Sequence, residues 1–172
     1  MNPTVPRRQH VVNASPRSGS RSPAGDAFTA LVLRVVRLNG RFTAAGEALA
    51  APAGQTLARW LVLEAVQEAP APVATIARRL GLARQGVQRL ADLLVHDGYA
   101  AYEDNPAHRR AKLLRITPAG RSSLRTIQAA QRAWADAMGA ELGEAELRRA
   151  GAILDRVGQV LRTPDPDPDP DP

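Results

Sequence analysis

The sequence predicts a mainly α fold with a small β-hairpin, arranged as a winged helix-turn-helix lobe between terminal helices. Three observations carry this expectation. Two short amphipathic helices meet at a glycine, two strand-forming segments flank an Asn-Pro loop directly after them, and apolar residues step by three and four along both flanks. In the first short helix Val73, Ile76 and Leu80 share one face, and Gly81 stops it. A second helix runs from Ala83 to about Asp97 and closes at Gly98. Its apolar back is Val87, Leu90 and Leu94; Arg84, Gln85, Gln88, Arg89 and Asp92 spread over the opposite face.

The hairpin comes next. Tyr99 to Glu103 and Lys112 to Ile116 hold strand-forming residues, and the stretch from Asp104 to Ala111 contains Asn105-Pro106, which reads as a long tip. Thr117-Pro118 supplies an N-cap and a first-turn proline for another helix. Helix, turn, helix and basic hairpin form a winged helix-turn-helix over about 57–118, in which the second helix reads a major groove. Arginine matches guanine edges and glutamine matches adenine, so Arg84, Gln85, Gln88 and Arg89 are the candidate base readers. His108, Arg109, Arg110 and Lys112 are the candidate wing contacts.

Before the lobe, Phe28, Leu31, Val35, Leu38 and Phe42 define a helix over about 26–42 whose end Gly40 weakens. Ala44 to Gly54 reads as a short helix and connector, and Gln55 to Ala69 as a helix that prolines separate from the lobe. After it, Leu124, Ile127, Gln131, Trp134 and Met138 form one stripe, and Leu147, Ala150, Leu154, Val157 and Leu161 another. Gly139 and Gly143 mark a turn between them. Three such stripes need covering, either by an intramolecular bundle or by a second chain.

IARRLGLARQGVQRLADLLVHDGY followed by NPAHRRAKLLRITPAGR resembles the DNA-binding lobe of the MarR family of bacterial transcription regulators. Ala58-Arg59-Trp60-Leu61-Val62-Leu63 is similar to the segment preceding that lobe. The resemblance spans roughly 25–162 and is strongest over 57–121. Two departures stand out: Ala83 occupies a position where the family often has Ser, and His108 a wing position where it has Asp. The resemblance implies one domain over 24–162, an intertwined homodimer through helices 26–42 and 119–162, and Trp134 packed in that interface. It further implies binding of a pseudo-palindromic double-stranded DNA operator, usually as a repressor, with Arg110 at the wing tip and Arg109 its neighbour. A small, often aromatic acid is the effector it implies. The residues offered for one are Trp60 for stacking, with core packing its competing role, and Arg34, Arg37 or Arg41 for the carboxylate.

Charge distribution agrees with a nucleic-acid partner. The chain of 172 residues has a net charge of +6. Residues 71–121 alone hold nine Lys or Arg against four Asp or Glu, a surplus placed where phosphates would lie. The four arginines of residues 1–23 offset the four aspartates of the Asp-Pro tail, residues 163–172. Both segments are expected to be disordered, the tail extended. With no cysteine, disulfides, thiolate metal sites and thiol-based sensing are excluded. Histidines 10, 96 and 108 have no paired spacing, so neither metal nor cofactor is expected. His108 with Asp104 suggests an acid–base pair, but no nucleophile motif or phosphate loop accompanies it, so an enzyme is not expected. No apolar run approaches membrane-spanning length, and the expected location is cytoplasmic, on the nucleoid when bound. The alternative reading is a winged helix that docks an acidic protein without reading DNA.

Overall fold

The computed structural model describes residues 21–108 and 111–161. Its contacts divide the chain into two compact units, Met1–Phe42 and Thr43–Pro172. Helix α1 (Pro23–Ala50) begins in the first and ends in the second. It is longer than the sequence suggested: Gly40 does not end it, and the expected connector at its C-terminal side is helical as far as Ala50. Gly46 is buried in that extension, and a Cβ there would meet Leu57 Cδ1 at 2.7 Å. The glycine thus lets the Leu57 side chain approach and is no helix stop. A single 3-10 turn, Ala51–Ala53, follows.

Helix α2 (Leu57–Ala65) is shorter than the expected 55–69. Thr56 caps its start by accepting from the Arg59 amide at 3.2 Å. The helix ends at Val66, whose amide turns back to the Leu63 and Glu64 carbonyls. Beyond it lies strand β1 (Ala71–Pro72), which the sequence reading missed. Helices α3 (Val73–Leu80) and α4 (Arg84–His96) come next, then strands β2 (Ala100–Glu103) and β3 (Leu113–Ile116). The hairpin is therefore part of a three-stranded antiparallel sheet in the order β1-β3-β2. Ala71 pairs with Leu114, and Tyr102 pairs with Leu114 from the other side. Pro72 is tolerated because β1 is an edge strand.

Gly81, at φ 65, ends α3 in the left-handed region as expected. Val87, Ala91 and Leu94 of α4 are fully buried, against a core that includes Leu63, Ile76, Leu114 and Ile116. Arg59 of α2 donates to Asp97 at 2.7 Å and lies 5.5 Å from the Tyr99 ring centre, so it ties α2 to the end of α4.

Helix α5 (Pro118–Leu142) starts at Thr117, whose hydroxyl oxygen accepts from the Gly120 amide at 3.1 Å and donates to the Gly98 carbonyl at 2.7 Å. Only its first turns are buried, through Gly120, Ser123, Leu124 and Ile127. Helix α6 (Glu144–Val160) has no buried residue. Phe28, Val35, Leu38 and Phe42 of α1, Met138 of α5, and Leu147 and Leu154 of α6 are all exposed. They belong to the three expected stripes, of which the α5 stripe is buried at Leu124 and Ile127 and exposed at Met138.

Gly120 provides a direct test of this packing. A Cβ there would run into the Tyr99 carbonyl oxygen and come within 2.8 Å of Ile116 Cγ1. Alanine is otherwise the better helix former by about 1 kcal/mol. Gly120→Ala is nevertheless expected to destabilise the fold by about 1–3 kcal/mol in urea melts, because backbone cannot yield as a side chain can. The opposite sign is expected at Ala83, whose extended backbone caps α4 without a side-chain hydrogen bond. Ala83→Ser should stabilise by about 0.5–2 kcal/mol in the same melts.

Candidate nucleic-acid interface

The buried back of α4 determines what its front presents. With Val87, Ala91 and Leu94 inward, Arg84, Gln85 and Arg89 are exposed. Among the described residues none of these three side chains makes a hydrogen bond or ion pair, so their donors are available to a partner. No side chain caps the helix N-terminus; the Gly86 and Val87 amides donate to the Ala83 carbonyl, which leaves only the amides of the first two residues for an anion.

Gln88 is different. It is half-buried, and its Nε2 donates to Asp92 Oδ1 at 2.9 Å and to the Tyr102 hydroxyl oxygen at 2.7 Å. The Tyr102 hydroxyl donates in turn to Asp92 Oδ1 at 2.8 Å. Burial, followed by the hydrogen bond and charge of Asp92, pushes the Tyr102 phenol up to about 12. The Gln88–Asp92 spacing of four is visible in the sequence as a helical side-chain pair. Tyr102 is not, because only the fold brings strand β2 across α4.

A cleft of about 330 Å³ opens beside this network, lined by Arg84, Gln88, Tyr102 and Lys112 together with Pro72 and Val73. The structure thus brings the start of α4 and the base of the wing to one place. Beyond β2 the chain turns at Asn105, whose side-chain oxygen accepts from the Ala107 amide at 3.0 Å. His108 is exposed, and its carbonyl accepts from the Ala111 amide at 3.0 Å. Arg109 and Arg110 lie outside the described residues, as do residues 1–20 of the basic arm and residues 162–172, which include the Asp-Pro tail. Arg115 pairs with Glu103 across the two strands at 3.0 Å and braces the wing.

The residues offered for an effector differ from one another. Trp60 is half-buried, packs against the lobe core and donates to Glu64 at 3.0 Å, so core packing accounts for it. Arg34, Arg37 and Arg41 are exposed on α1. Among the described residues no group of three His, Cys, Asp or Glu is placed to hold a metal ion. No described helix is long and apolar enough to cross a membrane.

Known proteins share this fold. A model described as MarR family matches residues 53–111. An uncharacterized protein of Mycobacterium tuberculosis is 44% identical over 102 residues, which cover 59% of this chain and 71% of that protein. Among solved structures, a mutant MarR from E. coli complexed with operator DNA superposes with a TM-score of 0.70 at 19% identity, over 79% of this chain and 99% of its own. A MarR family transcriptional regulator from Streptomyces coelicolor gives 0.68 at 23% identity, over 78% and 94%. At these identities the structural likeness establishes the fold.

The network predicts a pH response. Since the folded phenol of Tyr102 holds its proton above the ordinary tyrosine value of 10, stability from this source is present below pH 10 and is lost as pH rises toward 12. Ultraviolet titration should show one of the two tyrosines ionising near 12. Asp92→Asn should move that step downward, because it removes the charge of Asp92 while the burial remains. A titration in which no tyrosine of the unsubstituted chain ionises near 12 would contradict the network.

Proposed function

Because this chain belongs to the MarR family of transcription regulators, we propose that it binds a pseudo-palindromic operator as a homodimer and represses from it. The observation that carries this reading is the face of α4, where Arg84, Gln85 and Arg89 stand exposed on a buried back. This face belongs to the segment that holds nine basic against four acidic residues. One α4 from each subunit enters one of two major grooves about a helical turn apart. Lys112 and His108 contact the backbone beside it, and the wing arginines Arg109 and Arg110 reach the flanking minor grooves.

Residues 24–162 work together as one regulator domain in this proposal, with 57–118 reading DNA and 26–42 and 119–162 joining the subunits. The support is that α1 and α6 each expose apolar side chains, which a second copy would remove from water. Release by a small, aromatic acid is part of this proposal, with the exposed Arg34, Arg37 and Arg41 as candidates for its carboxylate. Such a ligand acts only so far as it binds the released state more tightly than the DNA-bound one.

A gel shift on the chain's own promoter over a salt range tests the reading. A discrete palindromic site with a steep salt dependence is the expected result. Weak, sequence-blind retention would mean a protein-docking module instead. Arg89→Ala should reduce the salt slope by about one if it meets phosphate, or relax one base position by about 1–3 kcal/mol if it meets guanine. Arg110→Ala should lose preference for flanking A/T runs while the half-site bases are still read. Sedimentation should show a dimer at micromolar concentration. Leu154→Asp should dissociate it and weaken operator binding by about 100-fold or more, since two linked half-sites bind far better than one.

A further inference from the structure

The amide of Gln88 has one orientation that its neighbours permit. A carboxylate accepts hydrogen bonds and donates none, so the atom 2.9 Å from Asp92 Oδ1 must be the amide nitrogen. Tyr102 has a single hydroxyl proton and gives it to the same carboxylate oxygen at 2.8 Å. Toward Gln88, at 2.7 Å, the hydroxyl can therefore only accept. Both contacts of the glutamine are made by Nε2, and among the described residues no donor reaches Oε1. Its remaining capacity is that of an acceptor.

This changes what the residue can read. An unrestrained glutamine pairs two-pronged with adenine, accepting from N6 and donating to N7. With Nε2 engaged, only the accepting half is left. In the major groove, adenine N6 and cytosine N4 donate, whereas guanine O6 and thymine O4 accept. We propose that Tyr102 and Asp92 are positioning residues that make Gln88 an acceptor-only reader, selecting an amino base (adenine or cytosine) at one position of each half-site. The inference rests on the operator-binding reading above. It also couples the two DNA-facing elements, because Tyr102 belongs to wing strand β2 and Gln88 to α4.

Binding-site selection with the full chain, its Gln88→Ala variant, Tyr102→Phe and Asp92→Ala tests this. Gln88→Ala identifies the position by loss of preference there. At that position the unsubstituted chain should select adenine and cytosine comparably, over guanine and thymine. Tyr102→Phe returns one N–H to the amide for adenine N7, so the adenine-to-cytosine ratio should rise by about 2- to 10-fold, the range one net hydrogen bond supplies. Asp92→Ala alters an exposed residue, frees the other N–H and should shift the ratio the same way even if Tyr102→Phe folds poorly. Other half-site positions should be unchanged, which a general loosening of the lobe would not produce. The proposal is overturned if Gln88→Ala leaves every position as it was, or if the unsubstituted chain selects adenine alone or a keto base there. It is equally overturned if neither positioning variant moves the ratio. An unsubstituted chain that selects no sequence at all removes the operator-binding reading and this inference together. A selected palindrome with unmoved ratios removes only the inference.

Discussion

The burial of one face of α4 is the constraint on which the lobe depends. Val87, Ala91 and Leu94 have no exposed surface, and removing each larger side chain from water contributes about 1.5–3 kcal/mol. Rotating α4 by one residue would turn this face by about 100° and lose most of that burial. The hydrophobic core therefore determines which side chains face outward, and Arg84, Gln85 and Arg89 inherit their exposure from it. The base of the wing is held equally closely. Thr117 bonds to Gly98 and Gly120, and the Gly120 backbone lies against Tyr99. Strand β2 thus enters next to the C-terminus of α4 with little freedom.

Burial is uneven along the chain. The lobe from α2 to the first turns of α5 holds nearly all of the buried apolar side chains, while α6 holds none. A 17-residue amphipathic helix with no buried face has little reason to persist alone in water. The apolar side chains exposed on α1 and on α6 are what the proposed homodimer would cover.

Much of this was legible in the sequence because the signals are local and periodic. The back of α4 follows from Val87, Leu90 and Leu94, the stop of α3 from Gly81, and the start of α5 from Thr117-Pro118. Strand β1 was not legible, since two residues ending in proline carry no period, and their pairing partner lies more than forty residues away in β3. The helical reach of α1 was missed because Gly40 weakens its end in the sequence and Ala44 to Gly54 reads as a short helix and connector. Gln88 was read, with Arg84, Gln85 and Arg89, as a base reader on the outward face. Its spacing from Asp92 hinted at a partner, but the decisive neighbour, Tyr102, comes from another element. Ala83 was read correctly as a helix start lacking a capping oxygen.

The central claim is that the outward face of α4 lies in the major groove, once per subunit. The chain contains no cysteine, so a single introduced thiol can carry a DNA-cleaving iron chelate without competing attachment. Placed by Gln85→Cys on the exposed start of α4, the chelate is expected to cut the operator in two clusters about one helical turn (~10 base pairs) apart, offset toward the major groove. The same reagent placed by Glu141→Cys, near the end of α5, should cut weakly and without that pattern. Equal, unpatterned cutting from the two positions would contradict the account.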